Sequence, residues 1–83
     1  MESVGPVSEI ASEVAEIFAE VLEIPLTAVG LADRLYEDLD GESLQRLEII
    51  VAVEKRFNIR FSADQDAKLE SVQDFAEAIV SVQ

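Results

Sequence analysis

Eighteen acidic residues against six basic ones in an 83-residue chain give a net charge of −12, which disfavours nucleic acid and anionic membrane and favours basic protein surfaces as partners. The absence of cysteine and histidine excludes disulfides, thiolate chemistry by the polypeptide, imidazole-based metal sites and histidine-dependent triads. With 49% hydrophobic residues and no low-complexity tract the chain is too apolar for disorder, and its length suits one small domain, residues 1–83, with a working core over about 7–82.

After a short Gly5-Pro6 lead, Val7, Ile10, Val14, Ile17, Phe18, Val21 and Leu22 recur at three- and four-residue steps, with Glu9, Glu13, Glu16, Glu20 and Glu23 between them. This predicts an amphipathic helix from about Val7 to Leu22 with an acidic outer face, Pro6 at its start and Pro25 beyond its end. No lysine or arginine occurs before Arg34, and self-repulsion on this scale predicts a melting temperature that rises with salt or Mg²⁺. Thermal melts at low and moderate ionic strength check this; an unchanged midpoint would remove the claim.

From Glu23 to Gly41 runs a long connection, a length usually reserved for functional loops. Its apolar residues Ile24, Leu26, Val29, Leu31, Leu35 and Leu39 predict packing on the helices, with a helical turn near Thr27. From Ser43 the helical pattern returns through Leu44, Leu47, Ile50 and Val51 to Phe57, with Asn58 placed to end the helix in the left-handed region. Apolar residues on more than one face predict that this is the central helix. The β-branched run Ile49-Ile50-Val51 also has strand propensity, but no second strand of similar quality exists to pair with it. Ser62-Ala63-Asp64-Gln65 reads as a capping box opening a short helix through Lys68, and Ser71-Val72-Gln73-Asp74 as the same device before a last helix marked by Val72, Phe75, Ala76, Ile79 and Val82. The expected class is all-α: three main helices, one short one, and a long loop after the first.

Asp38-Leu39-Asp40-Gly41 has the middle of a calcium loop, but with Gly41 at the sixth position the first is Tyr36 and the twelfth Leu47, where ligands are required. No metal site is expected. Paired carboxylates are abundant, yet without histidine or cysteine and with so small a core the chain offers no site of catalytic size, and they read as a solvated acidic face.

The acidic stretch closes on Gly41, which is expected to supply freedom in φ for a tight turn, and the helix opens at Ser43. Ser43 falls at the N-cap or in the first turn. As structure alone it caps the helix; as function it is a reachable hydroxyl whose phosphate ester would lie in the field of the helix N-terminus.

Leu39-Asp40-Gly41-Glu42-Ser43-Leu44 followed by Leu47-Glu48 resembles the prosthetic-group motif of acyl carrier proteins, Leu-Gly-x-Asp-Ser-Leu with a hydrophobic residue and Glu further on. The resemblance extends to Val29 and Leu35 through Leu39 ahead of the motif, to Val53-Glu54-Lys55-Arg56-Phe57-Asn58-Ile59 at the exit of the second helix, and to Ser71-Val72-Gln73-Asp74. It implies a four-helix carrier bundle in which Ser43 carries 4′-phosphopantetheine, acyl groups ride as thioesters on the cofactor's thiol, and the polypeptide does no catalysis. Glu42 stands in place of the motif's aspartate and Asp40 in place of its glycine. Gln45-Arg46 replaces the acid often found after Ser-Leu in fatty-acid carriers. The resemblance implies presentation to fatty-acid or polyketide biosynthetic enzymes, and these departures favour a polyketide or other specialised pathway over primary fatty-acid synthesis.

The partners so implied are a phosphopantetheinyl transferase and the basic patches of acyl-transferring and condensing enzymes, met by Glu42, Leu44, Leu47, Glu48 and Glu54. The protein is expected to be monomeric and cytoplasmic, with no signal-like or membrane-spanning run. Leu47, Ile50, Val51, Phe57, Phe61 and Ile79 either line a space for a bound acyl chain or pack as ordinary core. The alternative from another class is an acidic helical interaction domain without cofactor.

Overall fold

The computed structural model describes residues 6–82; Gly5, the first half of the expected lead, lies outside the described residues. Four α-helices follow in order, α1 (Pro6–Leu22), α2 (Ser43–Phe57), α3 (Ala63–Asp66) and α4 (Val72–Val82), with a single 3₁₀ turn at Leu26–Ala28. Among the described residues there is no strand, and Ile49-Ile50-Val51 is helical.

The helix that organises the core is α1, not α2 as the apolar spread of α2 suggests. α1 packs against both α4 and α2. Its Ile10, Val14, Ile17 and Phe18 are buried, with Ala11 and Ala15 allowing close approach. Against them lie Val72, Phe75, Ala76 and Ile79 of α4 and Ile49, Ile50 and Val53 of α2. α2 keeps Leu44, Leu47 and Val51 exposed, so Leu47 and Val51 do not line an interior space. Phe75 sits at the centre, with the Phe18 ring 5.5 Å away and the Phe61 ring 6.0 Å away, both edge-on.

The helix ends are set by local chemistry. Glu23 adopts φ 58° after α1 and Asn58 φ 55° after α2, the latter the left-handed stop expected of an asparagine. Both serine boxes form. Ser62 Oγ accepts from Gln65 N at 3.1 Å while Gln65 Oε1 accepts from Ser62 N at 2.9 Å. Ser71 Oγ accepts from Asp74 N at 3.2 Å and Asp74 Oδ2 accepts from Ser71 N at 3.1 Å. α3 stops at Asp66, short of the expected Lys68, because Lys68 N and Leu69 N turn back to the carbonyls of Gln65 and Asp66.

The long connection is tethered rather than free. Leu35 is buried, and its N–H donates to the Glu70 carbonyl at 2.8 Å, beside an isolated antiparallel bridge between Arg34 and Ser71. Gln73 N adds a bond to the Leu31 carbonyl at 3.0 Å. Val29 and Leu39 pack on the core as expected, whereas Leu26 and Leu31 stay exposed, as does Val7 at the start of α1.

Ion pairs among the described residues join Arg34 to Glu37 and Asp38, Arg46 to Asp66, and Arg56 to Glu13. The Arg34, Arg56 and acid side chains in them are largely exposed and contribute little individually. Most of the acids therefore have no cationic partner in the described fold, which is the condition behind the expected response to salt.

Candidate functional site

Ser43 is placed by a relay of main-chain contacts that begins in the core. Leu35, 1% exposed, offers its carbonyl to the N–H of Gly41 at 2.8 Å. A Cβ on residue 41 would lie 2.7 Å from Leu35 Cδ1, 2.9 Å from Cγ and 3.1 Å from its carbonyl oxygen, so only glycine fits this approach. The glycine is there for space and not, as the sequence suggests, for φ. The left-handed residue is its neighbour Asp40, at φ 61°.

The left-handed backbone falls where the motif has its glycine, so Asp40 occupies a position that suits glycine. Aspartate tolerates the left-handed region better than most residues but still carries strain there. Asp40→Gly is expected to stabilise the fold by about 0.5–1 kcal/mol, the relief of strain being partly offset by the greater freedom of glycine in the unfolded chain. Chemical denaturation checks the sign, and a destabilised Asp40→Gly protein would refute it.

Ahead of the turn, Asp38 folds back on Arg34. Its Oδ2 accepts from Arg34 N at 2.8 Å, and the guanidinium lies 3.5 Å away. The backbone hydrogen bond, helped by the Arg34 side chain, holds the Asp38 carboxyl below its usual range. A lowered carboxylate pKa stabilises the fold above the unfolded value, and that contribution disappears as pH falls through the folded value.

Residue 42, not 43, caps α2. Glu42 has extended backbone (φ −112°, ψ 162°), and its N–H donates to Gln45 Oε1 at 2.9 Å. Glu42-x-x-Gln45 thus supplies the reciprocal half of a capping box, a signal masked in the sequence by the serine beside it. Ser43 is the first residue of the helix, exposed, and among the described residues its hydroxyl has no hydrogen-bond partner. The first-turn N–H groups set the positive end of the dipole of a 15-residue helix here, beside the carboxylates of Asp38, Asp40 and Glu42. Ser43 is exposed, and a helix N-terminus is a place where a phosphodiester on its Oγ would be favoured.

The remaining sequence-predicted residues divide. Leu44 is 64% exposed and Leu47 57%, on the same side of α2 as the exposed Val51, and Glu42 and Glu48 are exposed as well. Glu54 is half-buried, and its Oε2 accepts from Phe61 N at 2.9 Å, so it ties α2 to the loop that follows. Arg46 points away from this face. Its guanidinium binds Asp66 Oδ1 at 3.2 Å, the Asp66 carbonyl, and the Leu69 carbonyl at 3.3 Å. Asp38, Gln45 and Arg46 were not singled out as site residues by the sequence, and only Gln45 carried a local signal.

Residues 12–79 match the family model described as "Phosphopantetheine attachment site". The chain is 36% identical over 73 residues to an acyl carrier protein of Acidothermus cellulolyticus, covering 88% of this chain and 87% of that one. An acyl carrier protein of Thermobifida fusca is 36% identical over 66 residues, covering 80% and 84% respectively. In fold, the chain superposes on a solved acyl carrier protein of Enterococcus faecalis with TM-score 0.76 and 24% identity, over 95% of this chain and 100% of that one. The chain belongs to the acyl carrier proteins, the phosphopantetheine-attachment family. Its cofactor is 4′-phosphopantetheine, and it is a non-catalytic carrier; the cofactor-free interaction domain is thereby set aside.

Proposed function

We propose that Ser43 is the attachment point for 4′-phosphopantetheine and that the chain presents acyl groups, held as thioesters, to the enzymes of a polyketide or other specialised pathway. The observation that carries this is the exposed hydroxyl on the first residue of α2, without a hydrogen-bond partner among the described residues, immediately after a turn pinned to the core. The cofactor supplies a thiol on a flexible arm, chemistry that a chain without cysteine does not itself possess. The polypeptide's own part is to fix the arm's root, to favour its phosphate with the N–H groups of the first turn, and to expose a surface for partners.

Incubation with a promiscuous phosphopantetheinyl transferase and coenzyme A tests the assignment. A mass gain of about 340 Da, mapped to the peptide that contains Ser43, is the expected result. Loading elsewhere, or no loading, overturns it.

The same reading makes the exposed side of α2 the docking surface, with Leu44 and Leu47 as apolar contacts flanked by Glu42 and Glu48. Glu54 belongs with them in sequence, but its bond to Phe61 gives it a structural task. A transferase and acyl-transferring or condensing enzymes with basic patches are the fitting partners, meeting the carrier as a monomer in the cytoplasm. Among the described residues no helix is long and apolar enough to cross a membrane. Glu48→Lys is expected to slow transfer from a partner enzyme several-fold at low salt, with less effect at high salt, because exposed charges act mainly on encounter rate. Equal turnover at low salt by both proteins would defeat this assignment of the surface.

A further inference from the structure

We propose that Asp40-Gly41 is a site of spontaneous main-chain isomerisation, held latent by the Leu35 carbonyl, and that its conversion to isoaspartate disables loading at Ser43. The second half rests on Ser43 bearing the arm. Asp40-Gly41 is the sole place in the sequence where glycine follows aspartate or asparagine. Such a pair favours ring closure, because glycine has no side chain to shield its nitrogen from the carboxyl group one residue earlier.

In that reaction the Gly41 nitrogen bonds to Asp40 Cγ, and its proton leaves with the carboxyl hydroxyl as water, giving a cyclic imide. Water then reopens the ring. Attack at Cγ restores aspartate, whereas attack at the Asp40 main-chain carbonyl carbon breaks its bond to Gly41 and leaves the chain running through Cβ and Cγ. The mass is unchanged, and water is the only other reactant.

The fold withholds the nucleophile. Gly41 N donates to the Leu35 carbonyl at 2.8 Å, and Leu35 is 1% exposed, so the proton that has to be lost is engaged against the core. Closure therefore waits for the turn to open. Asp40 and Gly41 are themselves half-buried, and opening relieves the strain of the left-handed φ of 61° at Asp40. Once isomerised, the link ahead of Gly41 is one main-chain carbon longer and carries a carboxylate beside it. Gly41 seats so close to Leu35 that a Cβ would lie 2.7 Å from Leu35 Cδ1, which leaves no space to absorb the change. The displacement passes to Glu42 and Ser43.

The test ages the protein without its arm at neutral pH, folded in buffer and unfolded in urea. Isoaspartate is followed by peptide mapping with an endoproteinase that cuts before aspartate but not before isoaspartate. Isomerisation at residue 40 is expected to be about tenfold or more slower in the folded protein, the ratio reading how seldom the turn opens. The isomerised protein, separated by chromatography and returned to buffer, is expected to be loaded by a promiscuous phosphopantetheinyl transferase several-fold more slowly than fresh protein. Aged Asp40→Gly, which has no carboxyl to close on Gly41, is expected to keep its loading rate. Equal isomerisation in buffer and urea overturns the protection by Leu35. Full-rate loading of the isomerised protein, or equal loss in aged Asp40→Gly, overturns the link to Ser43. Failure of fresh protein to load at Ser43 instead overturns the attachment reading and the loading consequence with it, while the peptide map judges the isomerisation independently.

Discussion

Ser43→Ala is expected to lose the arm completely, with no mass gain under conditions that load the unaltered protein fully, while melting within about 2 °C of it. The two halves of this expectation come from different observations. The loss follows because the hydroxyl is the proposed nucleophile and alanine has none. The near-silence in stability follows because Glu42, not Ser43, holds the N-cap position of α2, the Ser43 hydroxyl has no partner among the described residues, and alanine is a good helix former. A serine that capped the helix would cost about 1 kcal/mol on removal and lower the midpoint by several degrees. A retained mass gain would place the arm on another hydroxyl and refute the assignment; a large fall in midpoint would restore the capping role.

Phe75→Ala is expected to destabilise the fold by about 3–5 kcal/mol. Phe75 is fully buried and meets both Phe18 and Phe61 edge-on, so truncation leaves a hole between α1, α4 and the loop before α3. A chain of this length has a total stability of roughly 4–12 kcal/mol, so the variant stands near half-unfolded or retains only part of its margin. Its midpoint is expected to fall by roughly 15 °C or more, read by circular dichroism, and a fall of less than about 5 °C would show that the core relaxes around the gap.

The secondary structure was legible because it is written in local patterns: three- and four-residue spacing for α1, α2 and α4, asparagine at the end of α2, and Ser-x-x-Gln and Ser-x-x-Asp at the heads of α3 and α4. Family membership was legible from the ordered set of motifs around Ser43. What the sequence concealed was long-range. That α1 rather than α2 is central depends on which of the α2 apolar faces is covered, and among the described residues Leu44, Leu47 and Val51 stay exposed. That Gly41 is required by Leu35, six residues earlier, depends on how the loop closes, and the same closure passes the left-handed backbone to Asp40. The destination of Arg46 depends on two carbonyls 20 and 23 residues away. Glu42 at the N-cap is readable from Gln45 three residues on, but the serine beside it is the more familiar cap and masks the signal.

The Leu35 main chain binds in two directions, its N–H to Glu70 and its carbonyl to Gly41. The stem of the serine turn and the connection ahead of α4 therefore share a single hinge pin. A substitution that loosens Leu35 is therefore expected to release both segments together, since one is held by its N–H and the other by its C=O.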